Sequence, residues 1–182
     1  MNFNATVSTL NTSAYSIKGD VVGQSVAGGN AIDITTMNDT IVTNNQYNKS
    51  TTIDSTINAG VGNISGSVGY TSQSACNSAG ISTDPNVTAI TSNQECRSID
   101  PSSTINANIA NIGGDVGLQS SSVGNTLEAD SNANNMPVVT NQINSSFVQS
   151  KINANFANVG GSVSATSSAI GNNGQIVHYT TK

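Results

Sequence analysis

The chain is predicted to be all-β, a repeat β-solenoid of the parallel β-helix kind, and three observations carry that prediction. First, one phrase recurs four times, beginning near Ser8, Ser55, Ser103 and Ser150, with anchor aliphatics Ile17, Ile64, Ile112 and Val159 at separations of 47, 48 and 47 residues. A fixed period of this length marks a supersecondary unit stacked on its neighbours, so residues 1–182 read as a single array of four copies of about 48 residues. Second, apolar and polar residues alternate within each copy, which is the period of a strand. Third, no continuous helical pattern and no Trp occur, which removes the helical repeats and counts against a β-propeller.

The third copy shows the elements in order. Ile105, Ala107 and Ile109 share one face of a first strand, and the parity then slips at Asn111, as a corner would require. A second run places Ile112, Gly114, Val116, Leu118, Ser120 and Ser122 on one face. The first-strand frame fits Leu10, Thr12 and Ala14, then Ile57, Ala59 and Val61, then Ile152, Ala154 and Phe156. Gly19, Gly66, Gly114 and Gly161 hold one inward position in the second run, which predicts a bend or a tight crossing in every coil. Gly29-Asn30, Cys76-Asn77, Gly124-Asn125 and Gly171-Asn172 read as a turn, followed by a short third run with Ile32 and Ile34, Ala79 and Ile81, or Leu127 and Ala129. A loop marked by Asp84-Pro85 and Met136-Pro137 leads to a fourth run carrying Asn45-Gln46, Asn93-Gln94 and Asn141-Gln142. One large coil per copy and two small ones both satisfy this pattern.

Stacking places equivalent residues about 4.8 Å apart, where carboxamides can form hydrogen-bonded ladders. Two are expected: Asn63, Asn111 and Asn158 at a corner, and Asn30, Asn77, Asn125 and Asn172 at the predicted turn.

Composition narrows the function. Only 8% of residues are charged, the net charge is −5 and no basic stripe exists, so nucleic acid is not an expected partner. No apolar stretch is long enough to span a bilayer. The first residues lack a secretory leader pattern, which leaves a removed signal, another export route or an excised piece of a longer chain. Val, Ile and Thr at fixed positions favour repetitive order over the disorder that a polar bias would otherwise imply.

No residue set points to catalysis, a cofactor or a metal. His178 is the single histidine and has no motif around it, so it is expected to be a surface strand residue. Asp20 and Asp115 follow Gly, with Ser67 and Ser162 in their place in the other copies, but the nine-residue spacing of a calcium-binding array is missing. A lyase or hydrolase would need clustered carboxylates or a base, and the acids are scattered. Most Asn-x-Ser/Thr triplets are expected to be accidental in so Asn-rich a chain, so glycosylation is not inferred, and regular Thr-x-Thr ice-binding rows do not occur. Cys76 and Cys96 are the two cysteines, and a local disulfide across the loop between them is expected, with free thiols as the alternative; the disulfide would fit an extracellular location.

The phrase Ile-Asn-Ala-x-aliphatic-x-Asn-aliphatic-x-Gly-x-Val, followed by a Ser/Ala-rich strand and Ala169-Ile170-Gly171-Asn172, resembles the repeats of the holdfast-anchoring surface proteins of stalked bacteria. More distantly it is similar to the curli class of functional amyloid, although the curli repeat is about half as long and its glutamine spacing is not reproduced. The resemblance spans residues 8–172 and implies a secreted, surface-bound, fibrous or anchoring role at the bacterial cell surface. Both ends of the chain read as strand, so exposed edges are expected to pair copies of the chain end to end. The competing reading is a β-helical adhesin or phage fibre segment whose Asn, Ser and Thr faces hold surface polysaccharide.

Overall fold

The computed structural model describes residues 5–84, 88–97, 100–133 and 135–179, and none of these is helical. The first copy contributes β1 (Ala5–Tyr15), β2 (Val21–Thr36) and β3 (Thr40–Asn48); the second β4 (Thr52–Ile64), β5 (Val68–Thr83) and β6 (Thr88–Cys96). The third contributes β7 (Ser102–Ile112), β8 (Val116–Ser131) and β9 (Val138–Asn144); the fourth β10 (Gln149–Val159) and β11 (Val163–His178). They form three parallel sheets, ordered β1-β4-β7-β10, β2-β5-β8-β11 and β3-β6-β9. Each of the first three copies is therefore one large coil of three strands, the fourth contributes two, and the coils stack as a parallel β-helix.

The register equals the sequence repeat. Leu10 lies opposite Ile57, Ile57 opposite Ile105, and Ile105 opposite Ile152. Alternation then sends whole columns inward. One apolar column joins Ile57, Val61, Ile64, Val68 and Tyr70 to Ile105, Ile109, Ile112, Val116 and Leu118. A second joins Val42, Ile81, Ile90, Leu127 and Ala129. Bulk varies within a column only where a neighbour yields: a Cβ on Gly23 would meet Tyr70 Cε1 at 2.6 Å and Leu10 Cδ2 at 2.8 Å, so the first coil keeps the space that the tyrosine needs. Tyr70 is fully buried; burial pushes its phenol pKa above the ordinary tyrosine value, and Thr12 beside it partly offsets the rise.

Two sequence expectations need correction. Gly19, Gly66, Gly114 and Gly161 lie in the corner between the first and second strands of each coil and not inside a strand. The crossing is nonetheless tight: the N–H of Gly66, Gly114 and Gly161 donates to the carbonyl of the preceding glycine at 3.1, 2.9 and 3.1 Å. A Cβ on those three residues would stand 2.6, 2.9 and 2.7 Å from that residue's carbonyl carbon, so only glycine lets the coils close to strand spacing. Beside them Asn63, Asn111 and Asn158 turn the corner with φ of 56, 57 and 53°, a left-handed conformation that asparagine tolerates better than most residues.

Gly29-Asn30 and its equivalents are not a turn. They lie within β2, β5, β8 and β11, which run unbroken through what the sequence presents as separate second and third runs. The strand bends there instead, so that Cys76 and Asn77 both face inward, and Cα pairing skips Gly29 and Cys76. A repeated skip in pairing marks a bulge-like kink.

Ile105→Ala, in the middle of the stack and without exposed surface, is expected to lower the unfolding free energy by about 2–5 kcal/mol. Asn111→Ala is expected to lose about 1–2 kcal/mol to backbone strain, and Asn111→Gly less. Denaturant unfolding followed by circular dichroism measures all three.

Candidate functional site

Stacking gathers equivalent polar side chains into columns. Asn30 Nδ2 donates to Asn77 Oδ1 at 2.9 Å, Asn77 to Asn125 at 2.8 Å and Asn125 to Asn172 at 2.8 Å. This ladder sits at the bend, with Asn77 and Asn125 fully buried. At the corner, Asn111 donates to Asn63 and Asn158 to Asn111, both at 2.9 Å. On the outer face of the first sheet a further ladder runs Asn153 to Asn106 to Asn58 to Asn11 at 2.8, 2.9 and 2.9 Å.

Two interior columns carried no prior expectation. Gln94 donates to Gln46 at 2.7 Å and Gln142 to Gln94 at 2.8 Å, and Gln46 and Gln94 each also reach a second-sheet carbonyl at 2.8 Å. Between the first two sheets, Ser8, Ser25, Ser55, Ser72, Ser103, Ser120, Ser150 and Ser167 form a hydroxyl zigzag with Oγ–Oγ distances of 2.8 to 3.0 Å. Buried hydroxyls and amides cost stability when unpaired and strengthen one another when chained. The available signal was the spacing of Ser25, Ser72, Ser120 and Ser167 at 47, 48 and 47 residues, which was hidden by the abundance of serine elsewhere.

Cys76 and Cys96 form a disulfide between β5 and β6, with an S–S distance of 2.07 Å and both residues fully buried. In the coils on either side the same rung pairs a glycine with an asparagine. Asn48 Nδ2 donates to the Cys76 carbonyl at 3.1 Å, and a side chain on Gly29 would collide with that amide. A Cβ on Gly124 would stand 2.8 Å from Asn144 Cγ. The disulfide therefore replaces an Asn-over-Gly contact in the middle of the stack, between the two apolar columns.

The remaining candidates take structural places. Asp20 Oδ1 accepts the Ser67 N–H at 2.7 Å and Asp115 Oδ1 the Ser162 N–H at 2.7 Å, while Ser67 Oγ accepts the Asp115 N–H at 3.1 Å. Acid and hydroxyl thus alternate up the corner. His178 is exposed at the end of β11, its Nε2 against the Ala133 carbonyl. Among the described residues no three metal-binding side chains converge, and no helix is long and apolar enough to cross a membrane.

A family model described as Holdfast attachment protein D matches residues 4–182. The chain belongs to that family. No curated protein and no solved structure matches it. Membership makes this holdfast attachment family member a component of the bacterial cell surface or its exterior, with a structural, adhesion-related role. In the middle of the stack the buried amides of Asn77, Asn125 and Gln94 are each tied to the coil above and the coil below.

Replacing both cysteines with serine is expected to cost about 2–5 kcal/mol. The Cys76→Gly/Cys96→Asn pair, which installs the neighbouring coils' contact, is expected to retain more stability than the serine pair in parallel denaturant melts. Equal losses would show that the two kinds of rung are not interchangeable.

Proposed function

We propose that this holdfast attachment family member is a structural subunit of an extracellular bacterial fibre or surface anchor that associates end to end with copies of itself. The observation that supports this reading is the state of the apolar columns at the two rims. Val116, Ile109 and Ala129 are 1, 2 and 0% exposed, whereas their equivalents in the last coil, Val163, Phe156 and Ile176, are 45, 37 and 47% exposed. At the other rim Ile17 is 41% exposed where Ile64 is 2%. No described residue covers either rim.

Each rim also carries a row of open backbone N–H and C=O groups, a template for another strand. The rims complement each other. The first-sheet ladder ends on the Asn11 carboxamide N–H at one rim and on Asn153 Oδ1 at the other, the donor and acceptor of one further rung. Stacking the β10 and β11 edge of one copy on the β1 and β2 edge of the next would bury the open columns of the first two sheets and extend the first-sheet ladder. Such a contact is heterologous and does not close, so it builds a filament.

Sedimentation and negative-stain microscopy of the purified chain are expected to show concentration-dependent filaments. A Val163→Lys/Ile176→Lys variant, charged on one rim only, is expected to remain monomeric with an unchanged circular dichroism spectrum. Wild-type protein that stays monomeric in light scattering at its highest soluble concentration overturns the reading.

A further inference from the structure

We propose that the free edge of β9 is a docking site for one extended strand of a partner polypeptide, laid parallel to β9 and reading aliphatic-x-polar-Asn-Gln-x-Asn. The first two sheets hold four strands each and the third holds three. The fourth coil therefore has two walls, β10 and β11, and among the described residues no strand lies on β9 to make the third. The inference rests on this strand order and not on assembly. A following copy would set its β1 on β10 and its β2 on β11, which leaves its β3 two strand spacings from β9, about 9.6 Å. One strand fills that interval.

The backbone of β9 is oriented to receive it. The Ile90 N–H donates to the Pro137 carbonyl and the Ser145 N–H to the Cys96 carbonyl, both at 3.0 Å. Pro137 and Ser145 thus turn toward β6. Successive residues of a strand direct their polar groups to opposite sides, so Val138, Thr140, Gln142 and Asn144 present N–H and C=O to the open edge. A strand added to such an edge gains affinity from main-chain hydrogen bonds and specificity from the pockets that take its alternate side chains.

The existing strands define those pockets. One inward column is aliphatic at Val42, Ile90 and Val138, and another is Gln46, Gln94 and Gln142. In each glutamine contact the later coil donates to the earlier, at 2.7 and 2.8 Å, so Gln142 Oε1 is the acceptor for one further Gln. Asn precedes this Gln in all three strands, and on the outer face Asn93 donates to Asn45 at 2.9 Å, a contact that an incoming Asn repeats. Gly171 occupies the rung at which Gly29 and Gly124 take the Asn48 and Asn144 amides, which places Asn last in the motif.

The fourth coil has room for these side chains. Ser92 is fully buried, whereas its equivalent Thr140 is exposed. Ile176 is likewise exposed where Ala129 is fully buried. Gly174 stands where the preceding coil holds Leu127, and a Cβ on it would meet Gln142 Oε1 at 3.8 Å. The space beside Gln142 is thus left to a side chain from the missing wall. The inward columns of the third sheet carry no charge, so a charged residue at an inward position of the partner strand would be buried unpaired.

The test uses the full chain, at a concentration where light scattering shows monomer, and a blocked fluorescent peptide with the sequence of Thr40–Asn48, read by anisotropy. One peptide per chain is expected to bind, and a scrambled peptide of the same composition is not. Replacing the peptide's Gln with Leu is expected to weaken binding about tenfold. Thr140→Pro removes an edge N–H without breaking a bond to β6. It is expected to abolish binding while the circular dichroism spectrum is unchanged. Independently of any variant, peptide is expected to slow hydrogen exchange at the N–H groups of Val138, Thr140, Gln142 and Asn144 and not on β3, which locates the site. Filaments that form but retain no peptide overturn this inference alone, and peptide binding to a chain that never assembles overturns the end-to-end reading alone. Equal binding of the scrambled peptide, undiminished binding by folded Thr140→Pro, or protection elsewhere than β9 would also overturn it.

Discussion

In-register parallel stacking places every residue against its own equivalent one coil away, and that constraint governs the composition as well as the shape. A charge repeated at about 4.8 Å would repel itself along the whole column. The chain avoids this by using few charges and separating them. Asp20, Ser67, Asp115 and Ser162 alternate in the corner column, and each acid accepts a backbone N–H of the next coil. Within the strands Asp54 faces Ser102, and Glu128 stands between Gly80 and Gln175. Amides suit such columns because each is donor and acceptor at once and satisfies an identical neighbour.

The same constraint explains an interior that is not uniformly apolar. Two aliphatic columns occupy the wedges between sheets, and between them lie the serine zigzag, the glutamine and asparagine ladders and the disulfide. A buried polar group is costly only when unpaired. Here the repeat supplies partners for the stacked serines, asparagines and glutamines, and it leaves register slippage without a low-energy alternative, since a one-residue shift would bring polar columns against apolar ones. Where one coil departs from the repeat, the change is local and compensated: Cys76 with Cys96 where neighbours hold Gly and Asn, Tyr15 above Gly60 and Gly62, Tyr70 above Gly23.

Adhesive work at a cell surface demands resistance to force and a large repetitive contact area, and the two follow from the same geometry. Rims leave open strand edges along the axis, while the outer faces display one chemical group per rung. The third sheet's outer face differs in character. There Lys49 and Arg97 lie over the Tyr47 ring, and Arg97 Nε pairs with Glu95 at 2.5 Å. The first sheet's face is uncharged along its amide row. The solenoid thus presents chemically distinct sides on one backbone scaffold.

The repeat length, the strand period, the inward aliphatics from Ile57 to Ile152 and the stacked asparagines are legible in the sequence, because in-register stacking writes three-dimensional neighbours as residues 47 or 48 apart. What stays illegible depends on contacts between different parts of a coil. Ser25 reaches Ser8 at a separation of 17 residues, Gln46 reaches the Ser78 carbonyl at 32, and Tyr15 settles on glycines of another strand. The corner glycines and the bent Gly29-Asn30 rung look alike as strand-breaking signals, yet one marks a true corner and the other a kink within a strand. Sequence alone determined that the copies stack, since periodicity is a property of the chain. Only the tertiary structure decided where the coil turns and which faces meet, since those depend on the space left between sheets once all three have closed.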